Sequence, residues 1–267
     1  MARLLDAFKK LDPTKVAIEE YNLGLGAKYR GEWALSLAHN QRAAELNSGD
    51  EATWWNLAIA ATALKNWPEA RRAWLACGVS LLDGDGEVSI PEIWACVRLN
   101  PNGGGEVVWG KRIDPARIRI MNVPLPESDR RYEDIILNDG APEGIRTSGG
   151  SEYPVFNELA IWQRSPYSTY AVEVGLASPE AKESLGRLCS ELAVAFEDWG
   201  TLRHLCAECS RGNPGPHECA PSTTDGNRFG FAARGRSALD DLLRRWLEVE
   251  PGVELGAVSL AVAGISA

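Results

Sequence analysis

His204-Leu205-Cys206-Ala207-Glu208-Cys209, then a loop of Ser, Arg, Gly, Asn and Pro, then His217-Glu218-Cys219, is the stretch around which the last third of the chain is organised. It gathers two of the three histidines and three of the six cysteines. Zn²⁺ prefers four tetrahedral ligands drawn from thiolate and imidazole. A Cys-x₂-Cys pair, a Gly/Pro turn and a His-x-Cys pair supply that set. The spacing predicts zinc on Cys206, Cys209, His217 and Cys219, with His204 as a spare or replacement ligand. Two other readings stay open. The thiols of a reduced hairpin can pack as small apolar groups, or Cys206 and Cys209 can act as a redox pair. Four protein ligands would make a closed, structural metal site rather than a catalytic one.

Working outward from that loop, a strand is expected before it (Trp199–His204) and another after it (Arg228–Ala233). Thr169-Tyr-Ala-Val-Glu-Val-Gly175 reads as an earlier strand. Ser178-Pro179-Glu180 opens a helix, with Ser as N-cap and Pro at the first position. Leu185, Leu188 and Leu192 mark its apolar face. Ser237–Val249 is a second helix, with Leu239, Leu242, Leu243, Trp246 and Leu247 turned inward, and Leu255–Val262 is a final strand. The order is βαββαβ, the ferredoxin-like arrangement, over residues 168–265. Its long second hairpin carries the Cys/His cluster. Such a hairpin has little core of its own, and a metal would fix it.

Residues 1–84 read as helical, with a period of 34. Leu23, Gly24, Ala27, Trp33 and Ala43 are matched by Leu57, Ala58, Ala61, Trp67 and Cys77. The pattern resembles the tetratricopeptide repeat, whose small residues sit where two antiparallel helices approach closely. Glu20 and Asn40 depart from it, standing where large aromatics are usual. Two repeats, roughly 17–50 and 51–84, would present a concave surface from the first helix of each. Tyr21, Leu25, Lys28, Trp55, Ile59 and Thr62 would line it, with Tyr21, Lys28, Trp55 and Thr62 as the partner-binding candidates. The alternative is that Trp55 and Tyr21 pack against the rest of the protein. Asp83-Gly-Asp85-Gly-Glu87 ends the helical part as a turn, because the glycine is misplaced for a calcium loop.

From residue 88 to 163 the pattern turns to strands. Ile93–Leu99 and Val107–Ile113 flank Asn-Pro-Asn-Gly-Gly-Gly, a hairpin signal, and Ala116–Val123 alternates with period two. A small all-β unit, open or barrel-like, is expected. Its cations Lys111, Arg112, Arg117, Arg119, Arg130 and Arg131 read as a solvated face. The fold class is therefore α+β in three parts: helical hairpins (1–84), a β unit (88–163) and a ferredoxin-like unit (168–265).

A net charge of -9 argues against general nucleic-acid binding, which needs a basic face. No apolar run approaches the ~18–20 residues of a membrane span, and the charged start Met1–Lys10 lacks the features of a signal peptide. Cytoplasm is the expected compartment, where thiols remain free for metal. No metalloprotease, P-loop, dinucleotide or nucleophile-elbow motif is present in the sequence, and a non-enzymatic protein is expected. Glu197/Asp198 and Glu133/Asp134 are sequence neighbours that would point to opposite sides if extended.

Taken together, the repeat-like front, the β-rich middle (Gly110-Lys-Arg-Ile-Asp-Pro-Ala-Arg-Ile-Arg-Ile120) and the Leu205-Cys-x-x-Cys-Ser tail resemble bacterial tetratricopeptide-repeat proteins found beside polymorphic toxins and read as immunity proteins. The resemblance implies a protein-binding function: capture of a toxin domain and blockage of its active site. An acidic chain would suit a basic toxin. A peptide-binding adaptor or chaperone, and a ligand sensor built on the ferredoxin-like unit, are the rival expectations.

Overall fold

The computed structural model describes residues 12–103, 105–175, 178–202 and 228–265. Its architecture is mixed α+β, with six α-helices and two sheets among the described residues, the first four helices preceding every strand. The chain divides into two compact units. One takes the described residues up to Glu92 together with Ile113–Ala116, and the other takes Ile93–Arg112 and the described residues from Arg117 onward.

The first unit is a pair of helical hairpins: α1 (Pro13–Tyr29), α2 (Trp33–Leu46), α3 (Glu51–Ala63) and α4 (Trp67–Ala76). Asp12 caps α1 by accepting from Thr14 N at 3.0 Å, and Pro13 occupies the first helical position, where its missing N–H costs nothing. The hairpins close alike. Glu32 N donates to Ala27 O and Asn66 N donates to Ala61 O, each at 2.9 Å. Gly31 and Lys65, both at positive φ, make the two turns. The departures noted in the first copy have a packing reason. Asn40 is fully buried and lies over Gly24, where an added Cβ would sit 2.5 Å from Asn40 Nδ2. Only glycine lets α1 and α2 come that close. Glu20 reaches His39, with Oε2 and Nδ1 2.7 Å apart, so His39 is a partly exposed structural partner. Trp74 is the largest buried side chain here. Its Nε1 donates to Thr62 Oγ1 at 3.2 Å and its ring meets Trp55 edge-on at 5.0 Å.

The second unit begins with a closed barrel of β1 (Ile93–Leu99), β2 (Glu106–Asp114), β3 (Arg117–Ile120), β4 (Ile135–Ser148) and β5 (Ser151–Gln163). The strands pair in chain order. With five of them, β1 and β5 run the same way, so the pair that closes the barrel is parallel, at Cys96↔Val155 to Arg98↔Asn157. Ala95, Val97, Leu99, Val108, Ile118, Ile120, Ile136 and Phe156 fill the interior.

A four-stranded antiparallel sheet follows, from β6 (Ser168–Gly175), β7 (Ala195–Asp198), β8 (Arg228–Ala233) and β9 (Glu254–Val262), in the spatial order β7-β8-β6-β9. Helices α5 (Pro179–Leu192) and α6 (Arg236–Val249) cover one face. Ser178 caps α5, accepting from Ala181 N at 3.2 Å. Leu185, Leu239, Leu242 and Trp246 are fully buried, whereas Leu247, expected inward, is partly exposed at the edge of the apolar stripe. The opposite face carries Ala171 and Ala232, which pack with Val123, Tyr167 and Trp199 into a separate core. Trp199 makes this second core possible. Its ring lies over Gly230, where a Cβ would meet Trp199 Cζ2 at 2.2 Å, and its Nε1 donates to Val123 O at 2.9 Å.

Two expectations are corrected. The strand placed at Trp199–His204 comes earlier, at Ala195–Asp198, and Trp199–Thr201 is a 3₁₀ turn. Asp198 ends the strand by accepting from Gly200 N at 3.0 Å and, through its carbonyl, from Thr201 Oγ1 at 2.8 Å. Nor do the barrel arginines form a solvated face. Arg117 is fully buried with its guanidinium 4.5 Å from the Trp162 ring centroid. Arg131 is buried and its Nε donates to Ala263 O at 2.7 Å, and Arg130 pairs with Glu158 at 2.7 Å. Carboxylate and aromatic partners contributed by distant strands make this burial tolerable.

Candidate partner-binding site

Helix α1 carries the clearest unfilled apolar surface of the helical unit. Ala17, Gly24, Ala27 and Lys28 form its buried side. Ile18, Leu25 and Tyr29 recur at helical spacing on the flank next to it, with Tyr21 between the two. Ile18 is 55% exposed and Tyr29 60%, while Tyr21 and Leu25 are half-buried. At the N-terminal end of this ridge a small cavity of about 50 Å³ is lined by Ala17, Ile18, Tyr21, Asn47, Asp50 and Thr53. Thr53 Oγ1 donates to Asp50 there, which fixes the polar side of the cavity.

The four partner-face residues read from the sequence fall into two groups. Tyr21 and Trp55 are half-buried, with Trp55 set against Trp74. Lys28 and Thr62 are buried, and that placement corrects the expectation that they stand on an open surface. Lys28 Nζ donates to Asn56 Oδ1 at 2.9 Å, tying α1 to α3, and Thr62 accepts from Trp74. Ile18 and Tyr29 were missed, although their spacing with Leu25 is readable. The repeat pattern drew attention to the faces where helices meet, and these two lie beside such a face.

The metal ligands read from the sequence, His204, Cys206, Cys209, His217 and Cys219, lie outside the described residues. Among the described residues no group of three or more His, Cys, Asp or Glu side chains is placed to hold a metal ion. Cys77, Cys96 and Cys189 are free thiols. Burial pushes Cys96 up to about 11 and Cys189 up to about 12, so both are protonated and unreactive at neutral pH.

Two polar clusters in the second unit were not legible in the sequence. In the first, Glu106 on β2 accepts from Leu125 N with both oxygens, at 3.2 and 3.1 Å. Glu197 on β7 accepts from Asn122 Nδ2 at 2.6 Å, and Asn122 Oδ1 accepts from Trp109 N at 2.6 Å. The 122–125 segment is thus held from the barrel on one side and from the sheet on the other. Burial, with Glu197 and Glu127 nearby, pushes Glu106 up to about 7, and burial also raises Glu197. Asp198 points the other way and pairs with Lys182 on α5 at 2.6 Å, as strand geometry requires of neighbours. In the second cluster, an open pocket of about 330 Å³ is lined by Asn100, Asn102, Arg130 and Glu158 among others. Arg130 donates to Glu158 Oε1 at 2.7 Å, Asn100 Oδ1 at 3.0 Å and Ser128 O at 2.9 Å. The protein's own acceptors hold this guanidinium, and the cluster braces the barrel.

No family model matches the chain. No curated protein matches it either. Among solved structures, the chain is similar to a hypothetical protein from Neisseria gonorrhoeae, at 13% identity and a TM-score of 0.30, over 66% of this chain and 99% of that one. A score that low carries no argument about fold or function.

Proposed function

We propose that this chain is a non-enzymatic binding protein of the bacterial cytoplasm, an immunity protein that captures a toxin domain and neutralises it. The observation that carries the reading is the apolar ridge Ile18–Leu25–Tyr29 on α1, exposed at Ile18 and Tyr29, in a chain of net charge -9. Exposed aromatic and aliphatic side chains in a row are anchors for a partner protein. The acidic balance favours a basic partner, such as a toxin domain that acts on nucleic acid. The 34-residue spacing of Trp33 and Trp67, each opening the second helix of a hairpin, supports assigning the helical unit to the tetratricopeptide class. The strand order β7-β8-β6-β9, with helices on one face, supports the ferredoxin-like assignment of the last third. In this reading zinc on Cys206, Cys209, His217 and Cys219, with His204 in reserve, fixes the hairpin between β7 and β8 and takes no part in chemistry. No helix among the described residues is long and apolar enough to cross a membrane.

The test is a pull-down of the tagged chain from its native host, with metal analysis of the same sample. The expected result is a stoichiometric basic protein carrying a toxin-like domain, with about one zinc per chain. The double variant Ile18→Asp/Tyr29→Ala is expected to weaken capture by at least about tenfold, the scale of an interface anchor. A partner bound equally by the variant removes the α1 ridge as the site. A chain that recovers no partner at all overturns the binding function.

A further inference from the structure

Asp50 stands at the N-cap of α3, where an aspartate carboxylate usually accepts from a backbone N–H of the first turn. This one makes no such bond. Its Oδ2 accepts instead from the hydroxyl of Thr53. Among the described residues no donor reaches Oδ1 and no cation pairs with the half-buried carboxylate. Asp50, Thr53 and Asn47 line the cavity of about 50 Å³ at the N-terminal end of the α1 ridge from the start of α3 and the loop before it, and Ala17, Ile18 and Tyr21 line it from α1. A carboxylate that leaves its own helix uncapped and borders a partly apolar cavity suits a ligand with a cationic head and an aliphatic stem.

We propose that this cavity is a socket for one lysine side chain of the partner protein, whose ammonium donates to Asp50 Oδ1 while its stem lies against Ile18 and Tyr21. The inference rests on the reading of the α1 ridge as the partner-binding surface, and it adds the chemistry that the partner must present at one end of it. Charge complementarity selects the occupant. The open acceptor is anionic, so carboxylate and phosphate groups are repelled, and a neutral aliphatic end would cover the carboxylate without satisfying it. Lysine is favoured over arginine on two counts. The cavity is small, and an ammonium is a compact charge on a flexible stem, whereas a guanidinium is a planar fork. That fork pairs best with both oxygens of a carboxylate, and Thr53 already occupies Oδ2.

The surroundings suit such a contact. Thr53 is buried and fixes the carboxylate before a partner arrives, so little ordering is left for binding. Asn47 Oδ1, which accepts from Gly49 N at 3.3 Å, offers a second acceptor from the same loop. Ile18 and Tyr21 stand beside the carboxylate and, once the ridge is covered, exclude water from the pair. The acidic balance of the chain then has one specific contact at the interface, and the apolar anchors Leu25 and Tyr29 follow along the same helix.

Nuclear magnetic resonance on the isotope-labelled full chain reads the socket without the partner. The probe is N-acetyl-lysine N-methylamide at millimolar concentration. Saturable shifts are expected at the Tyr21 and Thr53 amides. Asp50→Asn is expected to abolish them, and its fold is kept because asparagine caps a helix as well as aspartate does. Glu51→Gln, the same loss of charge one residue on at an exposed position, is expected to leave them in place. A norleucine probe that shifts the same amides equally overturns the proposal, as does an arginine probe that binds more tightly, or no response to the lysine probe at all. With the captured partner, Asp50→Asn is expected to weaken binding by at least about tenfold and Glu51→Gln to leave it unchanged. A partner indifferent to Asp50→Asn, or weakened equally by both variants, overturns the socket and leaves the immunity reading standing. A response to the lysine probe with no partner recovered upholds the socket and overturns that reading.

Discussion

Trp246→Ala lowers the unfolding free energy by about 3–5 kcal/mol, the usual cost of truncating a buried large aromatic to alanine. Trp246 is fully buried on α6 and packs in the core shared with Leu185 of α5 and Phe231 of β8. Its Nε1 donates to Ala181 O at 2.9 Å, so the ring also ties α6 to the first turn of α5. Alanine opens a cavity and removes the Nε1 tie between the helices; Ala181 O keeps Ser184 Oγ as a donor at 2.9 Å, so the cavity dominates the loss. Trp246→Phe fills most of the volume but loses the hydrogen bond, and it is expected to cost only about 1–2 kcal/mol. Urea unfolding followed by circular dichroism measures both. Equal losses for the two variants would mean that the hydrogen bond, not the packing, carries the effect.

Glu106→Gln raises stability at pH 8 by about 2–3 kcal/mol and leaves it nearly unchanged at pH 4. Glu106 is half-buried, and desolvation pushes its folded carboxyl from 4.5 up to about 7. Below pH 4.5 the group is protonated whether the chain is folded or not, and it contributes no pH dependence. As pH rises through 4.5 the unfolded chain releases the proton while the folded chain keeps it. Stability therefore falls between about pH 4.5 and 7 and levels off above. At about 1.4 kcal/mol per pH unit the full fall is about 3.5 kcal/mol, which solvent screening of a half-buried carboxylate reduces to about 2–3 kcal/mol. Glu197, also raised by burial, adds a loss of the same sign. Glutamine cannot ionise and can still accept from Leu125 N. Urea midpoints of the two proteins at pH 4 and pH 8 separate the outcomes: convergence at pH 4 and divergence at pH 8 is expected, and parallel curves at both pH values would contradict the assignment.

Local signals in the sequence were dependable where the physics is local. The Ser178-Pro179 start of α5 rests on one hydrogen bond three residues away, and the structure makes that bond. The period that places Trp33 and Trp67 is likewise written in a single stretch of chain. The strand expected at Trp199–His204 was misplaced because an Asx turn at Asp198 outweighed strand propensity. The barrel arginines were misread for a different reason. Arg117 finds the Trp162 ring 45 residues away, and Arg130 finds Glu158 28 residues away. Partners that far apart in the chain leave no spacing to read. The Glu106–Glu197 neighbourhood is the extreme case, since it exists only once the barrel and the sheet share the 122–125 segment. In the candidate site, Tyr21 and Trp55 were legible as large side chains on the N-terminal helices. The burial of Lys28 was not, because it depends on Asn56 of another helix supplying an acceptor.

Titrating the purified chain into its captured partner, with the partner's own toxic or enzymatic activity as the readout, tests neutralisation most directly. One equivalent of the wild-type chain is expected to abolish that activity, and one equivalent of Ile18→Asp/Tyr29→Ala to leave most of it. A partner that keeps full activity while saturated with the wild-type chain would contradict the immunity function.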